Sequence, residues 1–330
     1  MRQILAVAGF FASCALVTES AAAAIKRQDL IVNAPSTSAL DSDVQETAAA
    51  TATAEVEQPP PVPVTGDCQI LHDIWPGFPA TGNDCCKAFG ISCTDGFITR
   101  IRLAYGSPPL QFIPDFSGLT KLILLSLPGK NCQGQFPSLP TTLEYLDLES
   151  NRLLSTIPDV TTFPRLRFLS LASNNFTGPV PQLPSTIKSL NLASNHLSGV
   201  IPSNLPPSLT SLNLGDNQLT GFIPTNLPIS LEYLYLGVNS LIGTIPESII
   251  SLTNLNYFNF QDNHLTGMIP PLPENLITNT PPDQLAESLS GNCFSNAEAF
   301  GVENSPSCGS IIENPSTTTT PNGELLQLLR

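Results

Sequence analysis

Charge is scarce in this chain. Of 330 residues only 12% are charged, and 13 basic residues face 27 acidic ones. That balance argues against a nucleic acid or an anionic membrane as partner, because phosphate binding needs clustered Lys and Arg. Histidine is nearly missing. His196 and His264 take variable turn positions, and His72 lies in a cysteine-rich segment, so all three read as solvated side chains. The chain carries no HExxH, no GxSxG and no phosphate loop, which removes the common metalloprotease, serine hydrolase and nucleotide-binding chemistries. No metal, no cofactor and no catalytic residue is expected, and the protein reads as a non-enzyme. Past the N-terminus no apolar run is long enough to span a membrane.

What is abundant is repetition. Leu190–Pro202 reads LNLASNHLSGVIP, and the same sentence returns at Leu146–Pro158, Leu169–Pro181, Leu212–Pro224, Leu234–Pro246 and Phe258–Pro270, with a worn copy at Leu125–Pro137. The anchoring asparagines Asn151, Asn174, Asn195, Asn217, Asn239 and Asn263 stand 23, 21, 22, 22 and 24 residues apart. A fixed period of this size means a solenoid. The apolar positions of LxxLxLxxNxLxGxIP point into each coil. The central xLxLx is a short strand with one face buried, since side chains alternate along a strand. About eight coils then stack their strands into one curved parallel sheet. The fold class is an α/β solenoid, mostly β, with an irregular, polyproline-like convex side where LPxSL segments block regular helix. One proline-free return, Glu247–Leu255, should carry a helical turn. The six asparagines cannot serve apolar packing. Their amides can satisfy backbone groups that a buried turn leaves unpaired, forming a ladder along the core.

The flanks follow from composition and cysteine. Residues 1–23 read as a secretory signal peptide, with Arg2 before an apolar run and small residues to Ala24. Residues 24–66 are Pro/Thr/Ala-rich and read as a disordered linker that could carry O-linked sugar, with Lys26–Arg27 as a weak dibasic processing signal. Residues 67–96 form an N-terminal cap. Neighbouring cysteines seldom bond each other, so Cys68 pairs with Cys85 and Cys86 with Cys93. Residues 97–270 hold the repeats. Residues 271–310 form a second cap, irregular over 271–284 and closed by Cys293–Cys308, and 311–330 read as a disordered tail. Such staples supply the end cover that a solenoid cannot get from burial alone, and they place the protein in an oxidising compartment. Cys132, in a slot held by Leu or Phe elsewhere, reads as a free, buried thiol.

The repeat sentence, its Thr/Ser-Gly pairs (Thr177-Gly178, Ser198-Gly199, Thr220-Gly221, Thr266-Gly267) and the Cys85-Cys86…Cys93 cap resemble the plant-type extracellular leucine-rich repeat proteins. In layout the chain is similar to the polygalacturonase-inhibiting proteins and related secreted members. That resemblance implies the fold, whereas the signal peptide implies a secreted protein, extracellular or wall-associated. The aromatic and acidic residues of the concave face motivate the leading reading, a monomeric module that binds a protein or polysaccharide and could inhibit an extracellular hydrolase. The Pro/Thr-rich linker motivates the other reading, a structural or adhesive protein of the cell wall or cell surface. The proline-rich returns and the linker are departures from the family pattern.

The register also indicates the exposed positions of the sheet. The expected ligand-binding set on the concave face is Tyr145, Asp147, Glu149, Phe168, Asp216, Tyr233, Tyr235, Tyr257 and Asp262. Aromatic side chains on a rigid sheet give contact area at low entropy cost. Asp147 and Glu149 point the same way, but an open surface should not desolvate them, so no raised pKa is expected. The face measures about 38 Å by 13 Å, roughly 500 Å². A single N-glycosylation sequon occurs at Asn175-Phe176-Thr177.

Overall fold

A computed structural model describes residues 66–75, 84–105 and 110–310. The signal peptide, the dibasic pair, the linker up to residue 65 and the 311–330 tail lie outside the described residues. Within them the chain winds as a solenoid with leucine-rich repeats. A nine-stranded sheet runs along one side. Its first strand, Ile91–Thr94, is antiparallel, which leaves eight parallel strands from Phe97–Arg102 to Tyr257–Asn259. Parallel partners keep perfect register. Tyr145 faces Phe168, Phe168 faces Ser189, Ser211 faces Tyr233 and Tyr233 faces Tyr257.

The alternation predicts which side chains go inside. Leu146, Leu169, Leu190, Leu212, Leu234 and their neighbours two residues on are fully buried, and Phe258 and Phe260 fill the same two slots in the last coil. A continuous core runs the length of the stack from Leu71 to Val302. The asparagines lie at its edge. Asn195 brings Nδ2 within 3.0–3.1 Å of the carbonyls of Leu171, Leu192 and Ala193, and its Oδ1 accepts the Phe176 N–H at 3.0 Å. Each rung thus ties two coils together and satisfies buried backbone groups of both. The residue just before each rung has φ between 52° and 57°, from Ser150 to Asp262.

The ladder is longer than six. Asn292 donates to the carbonyls of Phe260 and Leu289 and accepts the Leu265 N–H, making a seventh rung inside the C-terminal cap. Upstream, the equivalent slot holds Lys130. Its side chain is fully buried, its ammonium donates to the Ala104 carbonyl, and burial pushes its pKa down. Beside it Cys132 is free and buried, its thiol pushed up to about 11 by desolvation.

Past each rung the chain forms a second strand, which the sequence reading missed. Eight short strands, from Gln133–Gly134 through His196–Val200 to Cys293–Phe294, make a second parallel sheet. The repeat glycine ends up in this sheet at φ 76–82° (Gly178, Gly199, Gly221, Gly243, Gly267), a conformation that β-carbons disfavour.

Among the described residues, the returns that lead up to the strand Tyr257–Asn259 contain no α-helix. A 3-10 turn at Glu247–Ser251 matches the expected helical turn, and a further one at Val160–Thr162 was not expected. Asp159 supports the latter by accepting the Thr161 N–H. The remaining LPxSL returns carry a ladder of their own. Thr142, Thr186, Ser208 and Ser230 each donate to a carbonyl of the preceding coil at Leu122, Leu166, Ile187 and Leu209. Asn275 does the same to Leu255. In these five coils the polar residue before the return Leu or Ile is therefore a second set of rungs.

Both ends are closed. Upstream, Cys68 bonds Cys85 and Cys86 bonds Cys93. The helix Asp67–Ile74 buries Leu71, and Asp67 accepts the Ile98 N–H at 2.8 Å. Ile91–Thr94 pairs against the first coil through a two-residue turn, Asp95-Gly96, with φ positive at both residues, and so covers the sheet edge. Downstream, Cys293 bonds Cys308. Residues 271–284 are not irregular as expected. They hold the helix Glu274–Asn279 and the start of a second, Pro282–Leu289, whose Leu285 and Leu289 cover the last coil. Pro273 and Pro281 immediately precede these helices rather than interrupting them, which is why a proline-rich segment is still helical.

Candidate functional site: the concave face

The eight parallel strands offer an open face whose side chains follow from alternation. Its first column holds Tyr145, Phe168, Tyr233 and Tyr257, and its second holds Asp147 and Tyr235. All six are half-buried. Two pairs of rings meet. Tyr145 stacks on Phe168 with centroids 4.1 Å apart and planes 3° from parallel. Tyr235 leans on Tyr257 at 5.1 Å and 36°. Between the pairs lie small residues, Ser189, Ser211 and Gly215. At the downstream end the Ser288 hydroxyl, on the cap helix, lies 3.5 Å from the Tyr257 hydroxyl.

The carboxylates are less exposed than an open face implies. Burial pushes Asp147 above the usual carboxylate range, although the Glu149 N–H, the Ser126 hydroxyl and nearby Arg102 pull it down. The expectation of unshifted acids here is therefore wrong for Asp147. Flanking strands and the Tyr145–Phe168 stack take up the solvent that an isolated strand would show it. Asp147 accepts from Ser126 at 2.9 Å and from the Glu149 N–H at 3.1 Å, while Ser170 donates to Glu149 at 3.2 Å. Tyr145, desolvated and beside Asp147, is pushed up to about 12. Tyr235 is raised by burial, with Tyr257 and Tyr233 adding to it.

Asp216 and Asp262 do not join the columns. Both occupy the left-handed turn position next to a ladder asparagine and are exposed at the rim of the face, at φ 53° and 52°. The face thus has an upstream cluster of mixed charge and a downstream cluster of aromatic rings. Asn175 is exposed at the start of Asn175–Gly178 in the second sheet, away from the concave columns.

A feature the sequence reading missed is the part played by the second column. Asp147, Asn191, Asn213 and Asn259 each accept, through a side-chain oxygen, the backbone N–H two residues on, at 3.0–3.2 Å. These side chains cap the end of their own strand. The signal was in the sequence as Asx residues recurring four places before a ladder asparagine, each the last residue of its strand.

Comparison with known proteins agrees with the repeat architecture. The Leucine Rich Repeat family model matches residues 142–162, 165–187, 186–207, 230–252 and 254–276. The FNIP Repeat model matches 198–239. No curated protein sequence matches the chain. Among solved structures, the chain is similar to the ectodomain of the receptor kinase GASSHO1/SCHENGEN3 from Arabidopsis thaliana, at 27% identity over 63% of this chain and 32% of that one, with a TM-score of 0.47. It is similar to the Arabidopsis receptor kinase HAESA ectodomain at 27% identity over 63% and 41%, TM-score 0.48. A plant ice-binding protein overlaps at 23% identity over 72% of this chain and 97% of that one, TM-score 0.46. The chain spans well under half the length of either receptor ectodomain. Particular likeness to polygalacturonase-inhibiting proteins does not emerge from these comparisons.

Proposed function

We propose that this protein is an extracellular, non-enzymatic recognition module that takes its ligand on the concave face. The observation that carries the reading is the pair of aromatic clusters, Tyr145–Phe168 and Tyr233–Tyr235–Tyr257, set on a rigid sheet. Three disulfides in the caps support an oxidising, extracellular setting. In this reading the protein acts as a monomer, Asn175 carries an N-linked glycan on the second sheet, and blocking an extracellular hydrolase is one action open to the module. The test is capture of extracellular proteins and polysaccharides by the folded, disulfide-bonded chain. Replacing Tyr233, Tyr235 and Tyr257 together by Ala abolishes capture of the specific ligand, and unchanged capture by that variant removes the concave face from the function.

A further inference from the structure

We propose that the downstream half of the concave face binds a proline-rich peptide in the extended polyproline II conformation. This rests on the recognition reading above and names its ligand class.

The chemistry starts from the second-column amides. Asn213 accepts the Gly215 N–H at 3.1 Å, and Asn259 accepts the Gln261 N–H at 3.0 Å. A backbone N–H can only donate, so each amide is held with its oxygen turned into the strand end. The amide nitrogens make no hydrogen bond among the described residues and remain as donors on the face. Gly237 keeps one of them in place, since a Cβ there would stand 2.3 Å from the Asn259 oxygen. Between the two amides lies Tyr235, whose ring leans on Tyr257 at 5.1 Å. The floor is therefore uncharged, aromatic and rich in donors. Asp216 and Asp262 stand exposed at the rim and disfavour an acidic ligand.

A matching ligand has acceptors without donors, apolar flanks and no negative charge. Proline lacks an N–H, and polyproline II makes no internal hydrogen bonds, so its carbonyls stay free to accept. The spacing agrees. Three residues at 3.1 Å make a turn of about 9.3 Å. Coils lie about 4.8 Å apart, so Asn213 and Asn259, two coils apart, are separated by about 9.6 Å. A carbonyl from each of two successive turns can meet an amide donor while the prolines between lie on Tyr235 and Tyr257. Aromatic grooves recognise polyproline segments in this way. A neutral saccharide fits less well, because its hydroxyls also donate and each amide oxygen here already accepts a backbone N–H and is turned into the strand end.

The test is binding of decaproline to the full, disulfide-bonded chain by calorimetry, with a Gly-Ser decamer and cellohexaose as comparisons. The expected result is binding of decaproline and not of the Gly-Ser decamer. Tyr235→Ala should weaken it at least about tenfold, as for a central interface aromatic, and Phe222→Ala, at an exposed aromatic just past the second-sheet strand Gln218–Gly221, less than about twofold, with both variants melting as the wild type does. Binding of cellohexaose, lost in Tyr235→Ala while decaproline is inert, would overturn the peptide proposal and leave the recognition reading standing. If neither probe binds and Tyr235→Ala also leaves capture of every extracellular partner unchanged, this proposal and the downstream half of that reading both fall.

Discussion

Two rows of asparagine run along this solenoid four residues apart, and they have opposite lives. Asn195, Asn217 and Asn263 face inward and use both ends of the amide, bridging backbone groups of two coils. Asn191, Asn213 and Asn259 stand on the concave strands and spend only the oxygen, on a backbone N–H of their own coil. The same side chain is a structural tie in one row and an outward donor in the other. What decides is whether the backbone around it is already satisfied. In the inner row the turn strips carbonyls and N–H groups of partners, and in the outer row the sheet ladder has paired nearly all of them.

The contrast is open to experiment. Asn195→Ala should lose about 3 kcal/mol or more in denaturant unfolding, because it orphans a buried N–H and buried carbonyls, each worth about 1–3 kcal/mol. An effect under about 1 kcal/mol would mean that water replaces the rung. Replacing Cys293 and Cys308 by Ser should cost about 3 kcal/mol for its loop, whose ends are 15 residues apart. Because Asn292, the last rung, adjoins Cys293, hydrogen exchange should rise first at the Leu265 amide. Ser208→Ala tests the convex ladder, with an expected loss of about 1 kcal/mol. Val238→Asn should change stability in the other direction. A β-branched residue at φ 57° is strained, and Asn tolerates that conformation, so a gain of about 1 kcal/mol is expected in thermal unfolding.

The smallest effect concerns Asp147. Its folded pKa is raised, so its contribution to stability is fully present below the unfolded value near 3.8 and is lost as pH rises through the folded value. Asp147→Asn keeps the oxygen that accepts from Glu149 and removes the titration. Its stability should fall less than that of the wild type as pH rises from the ordinary carboxylate range upward, which parallel melts across that range would show.

The sequence carried the inner row because a buried turn leaves a strict mark, an Asn every 21 to 24 residues. It hid Asn292, since the helices of the cap stretch the last interval to 29 residues (263 to 292) while the rung stays in line. It hid the second sheet because those strands are short and most end at a glycine, too brief for an alternation to stand out. The convex ladder was masked by its own prolines. In LPxSL the eye goes to the proline, yet Ser208 and Ser230 make the bonds. On the concave face the columns were legible from alternation, but the rim placement of Asp216 and Asp262 was not. Both lie three residues past the strand and are themselves the left-handed residues of the turn, where strand alternation no longer sets which way a side chain faces. Desolvation of Asp147 depends on what neighbouring coils bring beside it, which no single repeat contains.

The division of labour between the two rows is tested most directly by comparing Asn217→Ala with Asn213→Ala, measuring unfolding free energy and ligand capture on both. The account predicts that Asn217→Ala loses about 2 kcal/mol or more while the folded fraction still captures ligand. It predicts that Asn213→Ala loses about 1 kcal/mol or less and weakens capture. The reverse pattern, with the concave variant unstable and the inner one near wild type, would contradict it.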